Sequence, residues 1–340
     1  MKHRETSCAA SLFEERYGLL PHQGTLGDLT ELLGRFAHLP YENLSKIIAW
    51  NSGLATSDPM APSQIADSKI NRANDTETRV TLHQHLPGQA ILDRAMRRPV
   101  QVMEDHLQLG TGGTCFSLTE LLRQLLQMAG FSCYPVMAHM RYGNNIHCAL
   151  RVNLAIHPWG GKGCSGAAFL VDPGYLVRQP LPLRTSTVAP QALAPGQPLL
   201  VPAGSLGPIP PHIPRGDFDL FTVEENGPRW RYRFTDHPPS EDEFLHHWRA
   251  SFFQPAMHSL FATQRSVEGE LMYLHNHKLR RRGSATKVTR NVRADMESTV
   301  EQIFGIDRQV TRQAIEIIQS LPHPPSKHSS AEAHDPSCSA

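Results

Sequence analysis

The chain has no run approaching the roughly 18–20 consecutive apolar residues that a membrane-crossing helix needs, which excludes a helical membrane span. It has no dominant charge: 33 Lys and Arg stand against 32 Asp and Glu, a net +1 with histidines neutral. That balance removes the electrostatic basis for nucleic-acid binding, which requires a basic excess or stripe. Cysteine is scarce, with residues 8, 115, 133, 148, 164 and 338 spaced too irregularly for a disulfide scaffold. Met1-Lys2-His3-Arg4-Glu5 lacks the apolar stretch of a secretory signal. Also missing are Walker A and GxSxG elements, which argues against nucleotide and serine-hydrolase chemistry. What remains is a soluble globular protein, expected in the cytoplasm, without nucleic-acid or membrane partners. Hydrophobic residues make up 40% and charged residues 19%, enough to bury a core. A length of 340 residues suggests two or three compact units.

Proline and histidine are plentiful. Many of the 27 prolines fall between Pro173 and Pro239 and break any long helix there. The 19 histidines invite a metal site, drawn from Cys148, His157 and Cys164 or from the His83/His85, His246/His247 and His275/His277 pairs. None shows CxxC, HExxH or zinc-finger spacing, so no metal is expected.

Apolar periodicity predicts a short helical stretch at 12–17 and an amphipathic helix over 26–36, with Leu29, Leu32, Leu33 and Phe36 on one face. Residues 51–90 are polar and weakly patterned, as expected of an insertion. The clearest helix runs from Phe116 to Met128, with Leu118, Leu121, Leu122, Leu125 and Leu126 on one stripe before Gly130. Period-two patterning follows from Ser132, with turn chemistry at Tyr142–Asn145 and alternation over 146–154. Further strands are expected at 169–172, within 218–234, at 261–265 and at 270–275. Helices are expected at 241–253 and 300–318, and a disordered tail from Leu321. Lys278, Arg280, Arg281 and Arg282 form a basic cluster that fits either a solvated turn or a contact for coenzyme phosphates.

Gly110-Thr111-Gly112-Gly113-Thr114-Cys115 puts a cysteine behind a glycine-rich turn at the start of that helix. Backbone N–H groups and the positive helix end favour a thiolate there, although a cysteine that merely packs fits the same pattern. His147 lies on the polar side of an alternating strand, and Asp172 ends a later strand at a Pro-Gly corner. A nucleophile, an imidazole and a carboxylate on three elements fit triad logic. Taken singly, a strand histidine is more often a surface or satisfied residue than a catalyst, and an aspartate before Pro-Gly is usually a turn former.

Leu39-Pro40-Tyr41-Glu42-Asn43-Leu44, Gly112-Gly113-Thr114-Cys115, the histidine-bearing strand and Val171-Asp172-Pro173-Gly174-Tyr175 together resemble the arylamine N-acetyltransferases, motif by motif and in order. Residues 244–265 also resemble the opening of that family's third domain. The resemblance implies an α+β fold with a cysteine-protease-like core. Its parts would be a flexible N-terminus at 1–11, a helical bundle at 12–131, a central antiparallel β-barrel at 132–237, an α/β lid at 238–320 and a disordered tail at 321–340. It also implies ping-pong transfer of an acyl group, usually acetyl from acetyl coenzyme A, to an arylamine, hydrazine or hydroxylamine, with no tightly bound cofactor. Carried over by position, Cys115 is the nucleophile, His147 its base and Asp172 the group that orients His147. Tyr41, Glu42, Gly113, Phe116 and Tyr175 are the implied binding residues.

The chain departs from the family pattern in places. Thr111 stands where an arginine is usual, so Glu42 needs another partner, Arg97 or Arg98. Phe116 follows the cysteine, Leu176 replaces a glycine, and the loop at 156–168 is long. Two other functions therefore stay open: an amide synthase using the same triad with a different thioester donor, and a non-catalytic binding protein that retains the fold.

Overall fold

The computed structural model describes residues 2–55, 89–154, 166–177, 179–183, 196–224, 226–265, 270–283 and 287–321. Up to residue 128 the described residues form helices α1 (Lys2–Tyr17), α2 (Leu26–Phe36), α3 (Leu44–Ala55), α4 (Gln89–Ala95), α5 (Pro99–Leu109) and α6 (Cys115–Met128), with one short strand between α2 and α3. The apolar face read from α2 is the buried one, and Thr25 and Asp28 close a reciprocal capping box at its start. Pro99 opens α5, where its missing N–H costs nothing, and Gly110 ends it with φ 67°. The leucine stripe of α6 packs with Phe13, Leu29, Leu32, Leu33 and Phe36 into one core.

Ala129 caps α6, and Gly130, at φ 84°, leads out of it into a seven-stranded sheet with every pairing antiparallel. Its strands are β2 (Ser132–Met140), β3 (Gly143–Asn153), β4 (Ala168–Val171), β5 (Leu181–Pro182), β6 (Pro198–Pro202), β7 (Phe218–Glu224) and β8 (Gly227–Phe234), in the spatial order β5-β4-β3-β2-β8-β7-β6. The sheet curls until β5 and β6 meet, forming a nearly closed barrel. Its interior holds Val136, Ala138, Ala149, Leu170, Leu220, Tyr232 and Phe234. Period two explains why neighbours on β3 diverge: Leu150 and Val152 face the helical core while Ala149 faces the barrel.

The chain then forms α7 (Glu241–Ala250), β9 (Phe261–Arg265), β10 (Leu271–His275), β11 (Lys278–Arg282), β12 (Lys287–Asn291), α8 (Met296–Phe304) and α9 (Arg308–Ser320). Four of these strands join β1 (Tyr41–Glu42) in a second sheet, ordered β1-β9-β10-β11-β12. The first sheet edge is therefore supplied by a residue pair from the N-terminal part of the chain.

The structure corrects several expectations. The helix expected over 300–318 is two helices, because Gly305 adopts φ 71° and caps the first. The helix expected over 241–253 ends at Ala250 and continues as 3₁₀ turns. The basic cluster is a strand rather than a turn: it pairs with β10 and β12, and Leu279 is its buried residue. The N-terminal helix starts at Lys2 rather than near residue 12. α3 runs through Ala55 and α4 begins at Gln89, so the ends of the expected insertion are helical and its remainder lies outside the described residues. Most of the 156–168 loop and the tail beyond 321 also lie outside them. No helix among the described residues is long and apolar enough to cross a membrane.

Candidate active site

Cys115 is the first residue of α6, reached through extended Thr114, and its side chain is 6% exposed. The preceding turn is fixed by backbone geometry. Gly113 N–H donates to the Pro40 carbonyl at 3.3 Å, and Glu42 N–H donates to the Gly113 carbonyl at 2.9 Å. A Cβ on Gly112 would stand 1.8 Å from the Pro40 oxygen, so backbone passes where any side chain would go.

One guanidinium holds this turn from beneath. Arg97 donates to the Gly112 carbonyl at 2.8 Å, to Thr111 Oγ1 at 3.1 Å and to Asp105 at 2.8 Å, and it also donates to Ser45 Oγ. It lies 3.7 Å from Glu42, with Arg97 4% and Glu42 0% exposed. Arg97 is thus the partner that Glu42 needed, while Arg98 stacks over the Trp248 ring at 5.6 Å.

His147 projects from β3 and is buried. Its Nε2 meets Asp172 Oδ2 at 2.9 Å, which leaves Nδ1 as the ring nitrogen available to the Cys115 sulfur. Asp172 is 0% exposed and its lone pairs are well used. Oδ1 accepts from the Gly174 and Tyr175 N–H groups at 2.8 and 3.2 Å, and Oδ2 accepts from Tyr232 Oη at 2.6 Å. The Pro-Gly corner has its own reason, since a Cβ on Gly174 would lie 2.7 Å from His147 Cε1. Tyr232 and Tyr175 flank the imidazole at centroid distances of 5.0 and 5.5 Å.

Protonation follows from these contacts. Burial alone would depress His147, but the Asp172 carboxylate and Cys115 outweigh it and hold the imidazole up to about 10. Cys115 goes the other way. A hydrogen bond from the Cys148 thiol overcomes burial, and His147 and Lys46 add to it, so Cys115 sits well below the ordinary thiol range. Both shifts favour the thiolate–imidazolium form of the pair. Cys148, buried in the cluster that also holds Cys115, is pushed well up. Burial lowers Lys46 to about 8, and its Nζ donates to Ser251 O and Oγ at 3.0 and 2.6 Å. Cys133 is pushed up to about 12 by burial and is inert by comparison.

The structure thus brings Cys115, His147 and Asp172 together, with Tyr41, Gly113 and Tyr175 around them. It does not place Glu42 or Phe116 where a substrate could touch them. Glu42 is enclosed by Ser45 and Arg97. Phe116 is fully buried against Phe244 and Trp248, at 5.5 and 6.3 Å between centroids. Sequence reasoning missed Tyr232, Lys46 and the contact of Cys148 with the nucleophile. Tyr232 had a faint signal as one alternating residue of β8; the other two had none. Among the described residues no group of three or more His, Cys, Asp or Glu side chains could hold a metal ion.

The N-acetyltransferase family profile matches residues 98–313, more than half of the chain and most of the site. No curated protein matches it. Solved structures do. The arylamine N-acetyltransferase of Mycobacterium abscessus aligns over 92% of this chain and 95% of its own, at 18% identity and a TM-score of 0.62. That of Mycobacterium marinum in complex with CoA aligns over 91% and 98%, at 19% identity and 0.56. Arylamine N-acetyltransferase C of Bacillus anthracis aligns over 88% and 98%, at 17% identity and 0.55. At such identities the likeness of structure speaks for the fold, and the profile match speaks for the lineage: this chain belongs to the arylamine N-acetyltransferase family of acyltransferases.

Proposed function

We propose that the protein moves an acetyl group from coenzyme A to a small arylamine, hydrazine or hydroxylamine in two steps through Cys115. The observation that carries this reading is the buried relay from Asp172 through His147 to Cys115, which poises an ionised sulfur at the start of α6. The Mycobacterium marinum neighbour bound to CoA supports the donor. No tightly held cofactor is needed, because both half-reactions use protein groups alone. Free Cys115, Cys133 and Cys148 suit a reducing compartment such as the cytoplasm.

In the first half-reaction the thiolate attacks the thioester carbonyl, and the tetrahedral adduct collapses with loss of the coenzyme A sulfur. The His147 imidazolium gives that sulfur its proton. In the second, the amine nitrogen attacks the Cys115 thioester. His147, now neutral, takes the amine proton, and Cys115 leaves as a thiolate. The Asp172 carboxylate keeps Nε2–H oriented throughout and stabilises the ring when charged. Tyr41 and Tyr175 give the acceptor aromatic surfaces beside the sulfur, and Gly113 leaves room against the backbone.

The test is kinetic. Double-reciprocal plots for varied acceptor at several fixed donor concentrations should be parallel, and mixing acetyl coenzyme A with enzyme alone should release a burst of about one thiol per site. Cys115→Ser should abolish the burst. Intersecting lines with no burst would remove the covalent intermediate. A burst seen only with longer acyl thioesters would reassign the donor and favour amide synthesis.

A further inference from the structure

The transfer chemistry gives Cys148 no step of its own, yet its position beside the nucleophile is closely fixed. Cys148 follows His147 on β3 and shares a strand face with Leu150 and Val152, the side on which α6 packs. Thr119 stands one turn after Cys115 on the same face of α6, and its hydroxyl donates to the Cys148 carbonyl at 3.4 Å. Cys115 and Cys148 lie in one buried cluster, and the Cys148 thiol donates to the Cys115 sulfur, so the two sulfur atoms are in hydrogen-bond contact. Cys133 stands apart from them. It pairs with Val152, four residues further along β3 and roughly 13 Å from the Cys148 position. Its sulfur donates instead to the Arg123 carbonyl at 3.7 Å.

A thiol is a weak hydrogen-bond donor that a hydroxyl would surpass, so what sulfur adds at this position is redox chemistry. The two cysteines are unequal. Cys115 is 6% exposed and favoured as the thiolate, whereas Cys148 is 0% exposed and held as the thiol. An oxidant arriving from solvent therefore meets Cys115 first, and the thiolate is the form that reacts. Cys148 is then the only described cysteine in contact with the oxidised sulfur.

We infer that Cys115 and Cys148 form a reversible disulfide when a hydroperoxide reaches the site, with Cys148 as the resolving thiol that spares the nucleophile from irreversible oxidation. The inference needs a reactive Cys115 and holds for any acyl donor or acceptor. In the first step the Cys115 thiolate attacks the hydroperoxide, the O–O bond breaks, and the departing oxygen takes the His147 proton and leaves as water or an alcohol. Cys115 is now a sulfenic acid and His147 is neutral. In the second step the Cys148 sulfur attacks the sulfenyl sulfur. Its proton passes to His147 and from there to the departing hydroxide, so water leaves as the S–S bond forms. The two sulfurs together give up the electron pair that reduces the peroxide. The cross-linked protein has no nucleophile until a reducing thiol opens the bond by exchange.

The test treats the reduced full-length chain with hydrogen peroxide near stoichiometry, blocks the remaining thiols with iodoacetamide and maps the peptides by mass. The peptides carrying Cys115 and Cys148 should appear joined, lighter by H2 than the reduced pair, and dithiothreitol should return most of the Cys115 labelling. Cys148→Ser keeps a hydrogen-bond donor beside Cys115 and removes the resolving sulfur. At equal peroxide consumption this variant should accumulate a dimedone-reactive sulfenic acid at Cys115 and then sulfinic acid, so that dithiothreitol restores little of its labelling. Sulfenic or sulfinic acid at Cys115 of the unaltered protein with no link to Cys148, or a link from Cys115 to another cysteine, would overturn the inference, and that reading needs no variant. If peroxide joins the two cysteines while acetyl coenzyme A gives no acyl-enzyme, the transfer reading fails and the disulfide stands.

Discussion

Cys115 and His147 are displaced in opposite directions because each stabilises the other's charged form, and burial strengthens that mutual attraction while penalising either charge alone. The unexpected participant is Cys148. A thiol that donates to the nucleophile is a hydrogen-bonding group in a position where the neighbours are apolar. Iodoacetamide alkylation of Cys115 should therefore be near its plateau rate at pH values well below the ordinary thiol pKa. Removing the donor in Cys148→Ala raises the Cys115 pKa, so the midpoint of the rate–pH curve should move upward and the rate near neutrality should fall. Peptide mapping assigns the modified residue. A midpoint that does not move would show that Cys148 only fills space. The grouping of Cys115, His147 and Asp172 was legible in the sequence because these residues mark element boundaries: a helix start, a strand after a turn, a strand end at Pro-Gly. Cys148 and Lys46 were not, since a side chain's tertiary neighbour leaves no trace in its local pattern.

Among the elements, α5 and the residues before it do more than their amphipathic pattern suggests. Arg97 stands just ahead of α5, yet its donors reach α3 through Ser45 and the nucleophile turn through Thr111 and Gly112. Arg97→Met would leave Glu42 buried and unpaired, a change that costs about 3–5 kcal/mol in comparable buried pairs. Urea unfolding should show a loss of about that size, and adding Glu42→Gln should restore part of it by removing the stranded charge. Full stability in the single variant would mean that Ser45 suffices for Glu42. The need for such a cation followed from Thr111; choosing Arg97 over Arg98 required three dimensions. Long periodic helices and alternating strands were readable, as in α2, α6 and β3. The break between α8 and α9 was also written in the sequence, at Gly305, but a continuous apolar period across it concealed the left-handed cap. β11 was misread because four basic residues look like solvent-facing chain until Leu279 is seen packed beneath them.

At the scale of the whole molecule, Leu39–Leu44 is a stitch between the two ends of the chain. Asn43 donates to the Ala256 and Ser259 carbonyls at 2.8 and 2.7 Å and accepts from Phe261 N–H at 2.9 Å. Asn43→Ala leaves these groups unsatisfied, at about 1 kcal/mol for each bond lost. Amide hydrogen exchange should accelerate in β9 and β10 while β2 and β3 keep their protection, because the barrel has its own core. Uniform acceleration would show that the stitch governs the entire fold. This linkage also sets a schedule for the living protein. The turn before Cys115 leans on β1, and β1 is completed as a sheet edge only by β9, at residues 261–265. A chain emerging N-terminus first from the ribosome meets that partner late. Until residues 261–265 are made, β1 lacks its strand partner, so the sheet-side support of that turn is completed only after Cys115, His147 and Asp172 themselves have been synthesised.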